Sequence, residues 1–509
     1  MQGEDSRFGG TTHASCPDCE QAERGRMTGW GTISCSDVPV NPATRRDGAR
    51  RKKAHVGRYG SRRLRWTGAL GVVAATAIFA VTVVVAPAGA LSGQLDAGFG
   101  VGGQLTTDFG GNYDWAYATA VQPDGRILAA GVSSAHGTYD FALARYTSAG
   151  HLDPSFGDHG LVTTDFGGSY DWAYAMVLQP DGRIVLGGVS DRSGSRDFAL
   201  ARYNPDGSLD TSFGQGGRLV TPVRPLTTDI IHGLALQPDG RIVAAGVTYD
   251  DTVSLRPHGN FMVVRYTPDG VLDLGFGVGG IVTTAFDGES YDEPYAVVLQ
   301  PDGGIVLGGV SNTGGGIGRL FGADNLALAR YLPNGLLDSS FGQGGKVIVD
   351  AGSMHESIRA LALDRQGRLV GAGRTNGEKR GDLLMARFLR DGSLDQNFGT
   401  TRPGLTVTDL GTAEEGLSAV VLAPDGTIAA GGIVAPEPHG DLTVVHYDST
   451  GHFDRSFAHA GVATVDTGGR DDRLRALALQ HDGDAVVVGS SETDFVVARF
   501  TTPAGAPAR

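Results

Sequence analysis

Short runs of apolar and β-branched residues recur along most of this chain, cut at close intervals by Gly, Pro, Asp and Asn. The clearest stretch, Ala173 to Gly214, reads AYAMVLQPDGRIVLGGVSDRSGSRDFALARYNPDGSLDTSFG. It holds three strand-like runs, two Pro-Asp-Gly turns, one variable loop and a closing Leu-Asp-x-x-Phe-Gly signature. Helical spacing is absent, so the runs predict short strands in antiparallel hairpins. A fourth run follows each signature, as in GGRLVT (Gly216–Thr221).

The unit recurs seven times. Its signature starts at Leu95, Leu152, Leu209, Leu272, Leu337 and Leu394, with a worn copy at Phe453, at spacings of 57, 57, 63, 65, 57 and 59 residues. Four strands in about sixty residues match one blade of a β-propeller. The innermost run (AYATAVQ, AYAMVLQ) alternates small Ala with larger residues, as expected of a strand crowded near an axis. The chain enters on a signature and a fourth strand, Val101–Asp108, and leaves after a third strand at Phe500. The first piece therefore completes the last unit, an overlap that closes a ring and removes edge strands. The expected fold is all-β: a seven-bladed propeller of four-stranded antiparallel blades over residues 91–500, closed by the N-terminal strand. Residues 501–509 read as a disordered tail.

The preface differs in kind. Residues 1–65 lack apolar periodicity and read as a disordered, basic region; residues 66–90 read as a signal peptide or membrane anchor. Ten Lys/Arg and one acid lie between Arg45 and Arg65, and the apolar run Gly68–Ala86 follows. That run is long enough to span a bilayer with its N-terminus inside, while Ala88-Gly89-Ala90 offers a cleavage site. Both forms place the repeats outside the cytoplasm, secreted or membrane-anchored. All three cysteines, Cys16, Cys19 and Cys35, precede the apolar run. With His13 they could ligate zinc; translation from Met27 instead is the alternative. Residues 1–90 hold 13 Lys/Arg and 7 Asp/Glu, so the totals of 42 and 56 leave 29 and 49, or −20, for the rest. Such a balance argues against nucleic acid as a partner.

The combination of QPDGRI, DFALARY and LDxxFG resembles the delta-60 repeat family of bacterial secreted and surface proteins. The resemblance spans about residues 91–500 and implies β-propeller repeats and an exported location; it implies no activity. Units five to seven depart from the pattern: Asp364-Arg365-Gln366-Gly367 replaces QPDG, His446 replaces the strand Arg, and Ala458 ends the last signature. Local loosening with retention of the fold is the expectation there.

Three repeated features bear on function. A carboxylate stands eleven positions before each turn glycine: Asp114, Asp171, Asp229, Asp292, Glu356, Glu415 and Asp472. At the entry of the innermost strand these form an acidic ring at one channel mouth, able to hold Ca²⁺ or a cationic ligand. The alternative, which needs no cofactor, is that each caps backbone N–H groups of its own loop. The strand Arg (Arg145, Arg202, Arg265, Arg330, Arg387, Arg499) falls on the Phe-Leu face and needs a buried anion, which the signature Asp supplies. Aromatic clusters mark blades one and two: Tyr113, Trp115 and Tyr117, then Tyr170, Trp172 and Tyr174, with Tyr291 and Tyr295 a partial third copy. They suit stacking on sugars or peptides, or packing between blades. Loops between second and third strands vary, and the opposite turns stay constant, so the variable face is the expected binding face. No G-x-S-x-G, HExxH or P-loop occurs. The functional expectation is a monomeric, exported, non-catalytic binding scaffold for an extracellular glycan or protein ligand. A glycan hydrolase or lyase using mouth carboxylates, and a structural surface protein without a ligand, are the alternatives.

Overall fold

The computed structural model describes residues 92–224, 227–250, 258–287, 290–312, 323–375, 381–412, 414–435, 440–468 and 472–501. The basic region, the signal or anchor segment, the cysteines, the tail after Thr501 and the centres of four variable loops lie outside the described residues. Among the described residues, no helix is long and apolar enough to cross a membrane.

The described residues form seven antiparallel sheets, and each is one blade. Blade 1 runs Asp114–Val121, Ile127–Ser133, Asp140–Tyr146 and Leu161–Thr164 in that spatial order. Blades 2 to 6 repeat it. Blade 7 takes its first three strands, Asp472–Leu479, Ala485–Ser491 and Asp494–Thr501, from the end of the chain and its fourth, Gln104–Thr107, from the beginning. Gln94–Leu95 adds a further pairing at Phe500 and Thr501. The ring is thus closed by the N-terminal strand, as the repeat phase requires.

The first strand of every blade packs against the first strands of both neighbours, blade 7 on blade 1 included. First strands therefore surround the axis. The second and third strands of blade 2, IVLGGVS and DFALARY, are buried at every position because neighbouring blades cover both faces. The core accordingly lies between blades. Phe141 and Leu143 pack with Ile184, Leu186 and Ala199 of blade 2, while Ala142, Ala144 and Tyr146 pack with Val486, Val488 and Phe495 of blade 7.

Two polar devices fasten neighbours. Arg145 Nε donates to Asp153 Oδ2 at 2.9 Å, its guanidinium lies 4.3 Å over Phe156, and Nη1 donates to Pro205 O in the next blade. Arg202, Arg265, Arg387 and Arg499 repeat this with Asp210, Asp273, Asp395 and Asp96. Burial opposes the charged form of Asp153, but the Ser155 hydrogen bonds and the charges of Arg145 and Arg126 hold its pKa below the usual carboxylate range. The second device is a hydroxyl pair: Tyr146 donates to Thr107, Tyr203 to Thr164, Tyr266 to Thr221, Tyr331 to Thr284 and Tyr447 to Thr408, each in the preceding blade. Where the tyrosine becomes Phe388 or Phe500, the threonine becomes Val349 or Val465, and both pairs pack as hydrocarbon. Neither hydroxyl is left alone.

The worn units keep their sheets. His446 Nδ1 lies 2.9 Å from Asp454 and its ring stacks on Phe457, replacing the Arg-Asp-Phe arrangement. Ala458 and Ala460 take φ of 42° and 54°, a left-handed conformation that glycine adopts at lower cost. The departure is local strain in one turn, and the strand pairing is unaffected.

Deleting residues 92–109 from the full chain should strip the outer strand from blade 7 and expose Asp494–Thr501 as an edge. A melting temperature lowered by several degrees, with increased aggregation, is the expected outcome. Calorimetry giving an unchanged transition would contradict closure by this strand.

Candidate functional site

The seven carboxylates sit at the inner strands' entries, each 0–1% exposed. They are turned into their own loops. Asp114 accepts the Phe109 N–H at 2.7 Å, Asp171 that of Phe166 at 2.8 Å, and Asp292 that of Phe286 at 2.8 Å. Glu356 accepts from Ser353 at 2.6 Å, Glu415 from Leu410 at 2.9 Å, and Asp472 from Thr467 at 2.9 Å. Asp229 accepts the Thr227 hydroxyl at 3.2 Å. Burial raises the pKa of Asp171 and Asp229 to about 6, partly offset by hydrogen bonds from Ser190 and Thr248.

At four blade seams these groups meet two further carboxylates within 4.8 Å: Asp108/Asp114/Asp494, Asp140/Asp165/Asp171, Asp382/Asp409/Glu415 and Asp441/Asp466/Asp472. Three oxygen donors so placed could share a proton or hold a hard cation.

The arrangement at the axis is different. In every blade the pairing of first with second strand slips by one residue: Ala116 and Ala118 pair with consecutive Gly131 and Ala130, leaving Tyr117 as the extra residue of a β-bulge. The same slip leaves Tyr174, His232, Tyr295, Arg359, Ser418 and Arg475. A glycine of the second strand permits it. A Cβ on Gly131, Gly188, Gly246, Gly309, Gly373, Gly432 or Gly489 would lie 1.8–2.0 Å from a carbonyl oxygen of the bulged strand.

The seven extra residues are all half-buried, and six of them touch around the axis. Ring centroids are 5.0 Å apart for Tyr117–Tyr174, 5.7 Å for Tyr174–His232 and 5.5 Å for His232–Tyr295. Arg359 lies 3.9 Å over Tyr295 at one end of this arc, and Arg475 5.3 Å over Tyr117 at the other. Ser418 occupies the remaining position. Toward the variable loops a second tier carries Trp115, Trp172, Ile230, Glu293, Ser357, Gly416 and Arg473, two residues before each bulge.

The sequence-predicted aromatics join this tier. Trp115 meets Trp172 edge-on at 6.0 Å, Tyr170 stacks on Trp172 at 4.9 Å, and Tyr113 contacts Trp115 at 5.7 Å. Tyr139, on the variable loop of blade 1, closes against Trp172 at 5.6 Å. Trp172 also packs on Val189, Ile230 and Val247, so it serves the seam between blades 2 and 3 as well as the surface. Glu293 is buried; its Oε1 lies 3.1 Å from His232 Nε2, and Oε2 accepts from Tyr291 at 2.6 Å and Tyr295 at 2.8 Å. Burial alone would raise its pKa, but His232 and the two phenols outweigh burial and hold it at about 2. A shallow cleft of about 380 Å³ lies elsewhere, on the constant-turn face beside Arg499 and Ser148.

Five segments, residues 122–156, 179–213, 237–276, 300–341 and 367–398, match the family described as "Domain of unknown function (DUF5122) beta-propeller". These five segments are repeats of this β-propeller family. Among solved structures the chain is similar to a protein of unknown function from Dyadobacter fermentans, at 12% identity over 79% of this chain and 98% of that one, TM-score 0.42. It is also similar to Sqt1 from Chaetomium thermophilum (14% identity, 78% and 97%, TM-score 0.42). A third similar structure is the PQQ-bound aldose sugar dehydrogenase from Streptomyces coelicolor (14%, 64% and 93%, TM-score 0.37). No curated protein matches.

Of these seven bulge residues, sequence reasoning singled out Tyr117, Tyr174 and Tyr295 only as aromatics and assigned no role to His232, Arg359, Ser418 and Arg475. The signal available was the glycine inside each second strand, since an isolated strand glycine marks a bulge or close backbone approach. Gly188→Ala should therefore destabilise by at least about 1–3 kcal/mol, the cost of forcing extra volume into a packed site. Denaturant unfolding measures it, and a neutral result would mean that the bulge does not need the glycine.

The carboxylates make a separate expectation. A group whose pKa is about 6 folded and 3.8 unfolded gives its full stabilisation below about pH 3.8 and loses it as pH rises through 6. The melting temperature should rise as pH is lowered from 7.5 to 5, and Asp171→Asn should flatten that slope. A slope unchanged in the variant would place the titration elsewhere.

Proposed function

We propose that this chain is an exported or cell-surface propeller that acts as a non-catalytic binding scaffold. Its ligand, an extracellular glycan or protein, lies on the face carrying the variable loops. The observation that carries this reading is the aromatic group Tyr113, Trp115, Tyr170 and Trp172. It stays half-buried at the loop-bearing end of the first strands, where its rings meet one another on the face of the variable loops. Half-exposed Trp and Tyr in contact with one another supply rigid area at little entropic cost. Export is supported by the basic run and the apolar segment before the repeats.

The burial of all seven carboxylates in their own loops favours binding over acid–base hydrolysis, which needs carboxyls presented to a substrate. Glycan and protein arrays probed with the full chain, followed by product analysis, test the reading. Trp172→Ala should weaken any captured ligand by about tenfold or more, the effect of truncating an aromatic anchor. Turnover of a bound glycan, or binding indifferent to both Trp115 and Trp172, would overturn it.

A further inference from the structure

We propose that the mouth of the axial channel is a site for an acidic saccharide. A carboxylate-bearing sugar ring lies with its apolar face on the arc of bulge residues, and its carboxylate meets the guanidiniums at the ends of that arc. The inference rests on the binding-scaffold reading above and names its ligand class.

The distribution of residue types around the axis carries it. Blades 1 to 4 contribute Tyr117, Tyr174, His232 and Tyr295, in unbroken ring-to-ring contact. Blades 5 and 7 contribute Arg359 and Arg475 at the same bulge position, each over the terminal tyrosine of the arc. A guanidinium held over an aromatic face keeps its N–H groups in its own plane, the geometry that matches a carboxylate in two parallel hydrogen bonds. On the tier above, Arg473 is paired with Glu414 at 3.9 Å, and the stem of Arg374 runs over Gly416. Opposite the arc, Gly416 and Ser418 of blade 6 are the smallest residues of their tiers, and Ser418 puts the smallest side chain of the bulge ring beside the two arginines.

The only acid in either tier, Glu293, is committed to His232, Tyr291 and Tyr295. The bulge tier therefore carries two guanidiniums and no carboxylate, in a chain whose formal net charge is −14. Aromatic faces joined to guanidiniums fit a ring with a hydrocarbon face and a carboxyl group. An extended acidic peptide fits less well, because every blade presents its first strand to the axis already packed between two others.

Titration of the full chain with an oligogalacturonate, its methyl ester and a neutral galactose oligomer, read by tryptophan fluorescence and calorimetry, tests the proposal. The acid should bind at least about tenfold more tightly than the ester, the effect of one or two charge-assisted hydrogen bonds. Arg359→Ala and Arg475→Ala should each abolish most of that preference, and Arg475→Lys should restore part of it; unchanged melting temperatures establish that the variants are folded. Tyr117→Ala should weaken acid and ester alike. Equal binding of acid and ester, a preference that survives the double arginine variant, or equally tight binding of oligoglutamate would overturn the proposal. If neutral glycans or proteins bind through Trp172 but acidic sugars do not, the acidic-saccharide site fails and the scaffold reading stands. If no ligand depends on this face, both fail.

Discussion

The buried guanidinium between blades is the interaction on which the rest of the propeller depends. Arg202 is 2% exposed, and a cation so placed is stable only with its partners complete. Its Nε goes to Asp210, its Nη1 to Pro268 O in the following blade, and its face to Phe213. Losing the carboxylate alone costs about 3–5 kcal/mol, because the charge stays behind. This requirement turns the Leu-Asp-x-x-Phe-Gly signature into a coupling between blades: Asp and Phe hold the cation, and Gly157 donates its N–H to Asp206 O next door. At the ring's end Arg499 takes Asp96 from the opposite terminus and donates to Ser148 O of blade 1. Closure uses the same bonds as the seams that Arg145, Arg202, Arg265 and Arg387 make.

That coupling fixes one face and releases the other. The third-to-fourth-strand turns receive the arginines and glycines of neighbouring blades, so they cannot vary without breaking a seam. Loops at the opposite end bond to the next blade near the strand ends, Asp171 N–H to Tyr139 O and Asp229 N–H to Arg196 O, and vary in length and composition between those bonds. The carboxylate at each inner strand's entry limits the variation, because it ties the incoming loop to the strand before the loop reaches the axis. Beyond that point comes the bulge, where an unpaired residue is aimed by the backbone at the channel. A rigid frame with one freely varied position per blade results, and the occupants are Tyr, Tyr, His, Tyr, Arg, Ser and Arg.

The frame was legible because its rules repeat: Pro-Asp-Gly turns, the fixed signature and an Arg eight residues before an Asp recur through the chain, and the leftover N-terminal strand requires closure. The Tyr/Thr and Phe/Val pairs were legible in principle, since hydroxyls are lost in both partners together at Phe388/Val349 and Phe500/Val465. The bulge ring was not read, for a physical reason. Two-residue alternation treats Trp115, Tyr117 and Thr119 as one face, whereas the slip at Ala116/Ala118 flips the remainder of the strand. Alternating Ala near the axis was a sound expectation, but it concealed the register shift that selects the exposed side chain. The acidic ring shows the converse: a residue type repeated in every unit holds its own loop, the capping role read from the sequence, while residues that differ between units carry the asymmetry of the mouth.

Electrostatics gives that asymmetry its meaning. The chain carries 56 acids against 42 Lys and Arg, and after residue 90 the balance is 49 against 29, so the far field around the propeller repels anions. Beyond about 8 Å that field is screened at physiological ionic strength. Contacts at the mouth operate inside this distance, between half-buried groups where screening is weak. An anion is therefore not drawn in from afar; it is retained only if its charge reaches Arg359 or Arg475 and its body covers the tyrosines between them. The acidic surface and the two guanidiniums at the mouth together act against loosely matched polyanions, because a nucleic acid or anionic membrane must bring many charges near the repelling surface to place one at the axis. A single carboxylate on a ring meets that condition at the least cost, and the selectivity resides in the few side chains that the bulges present.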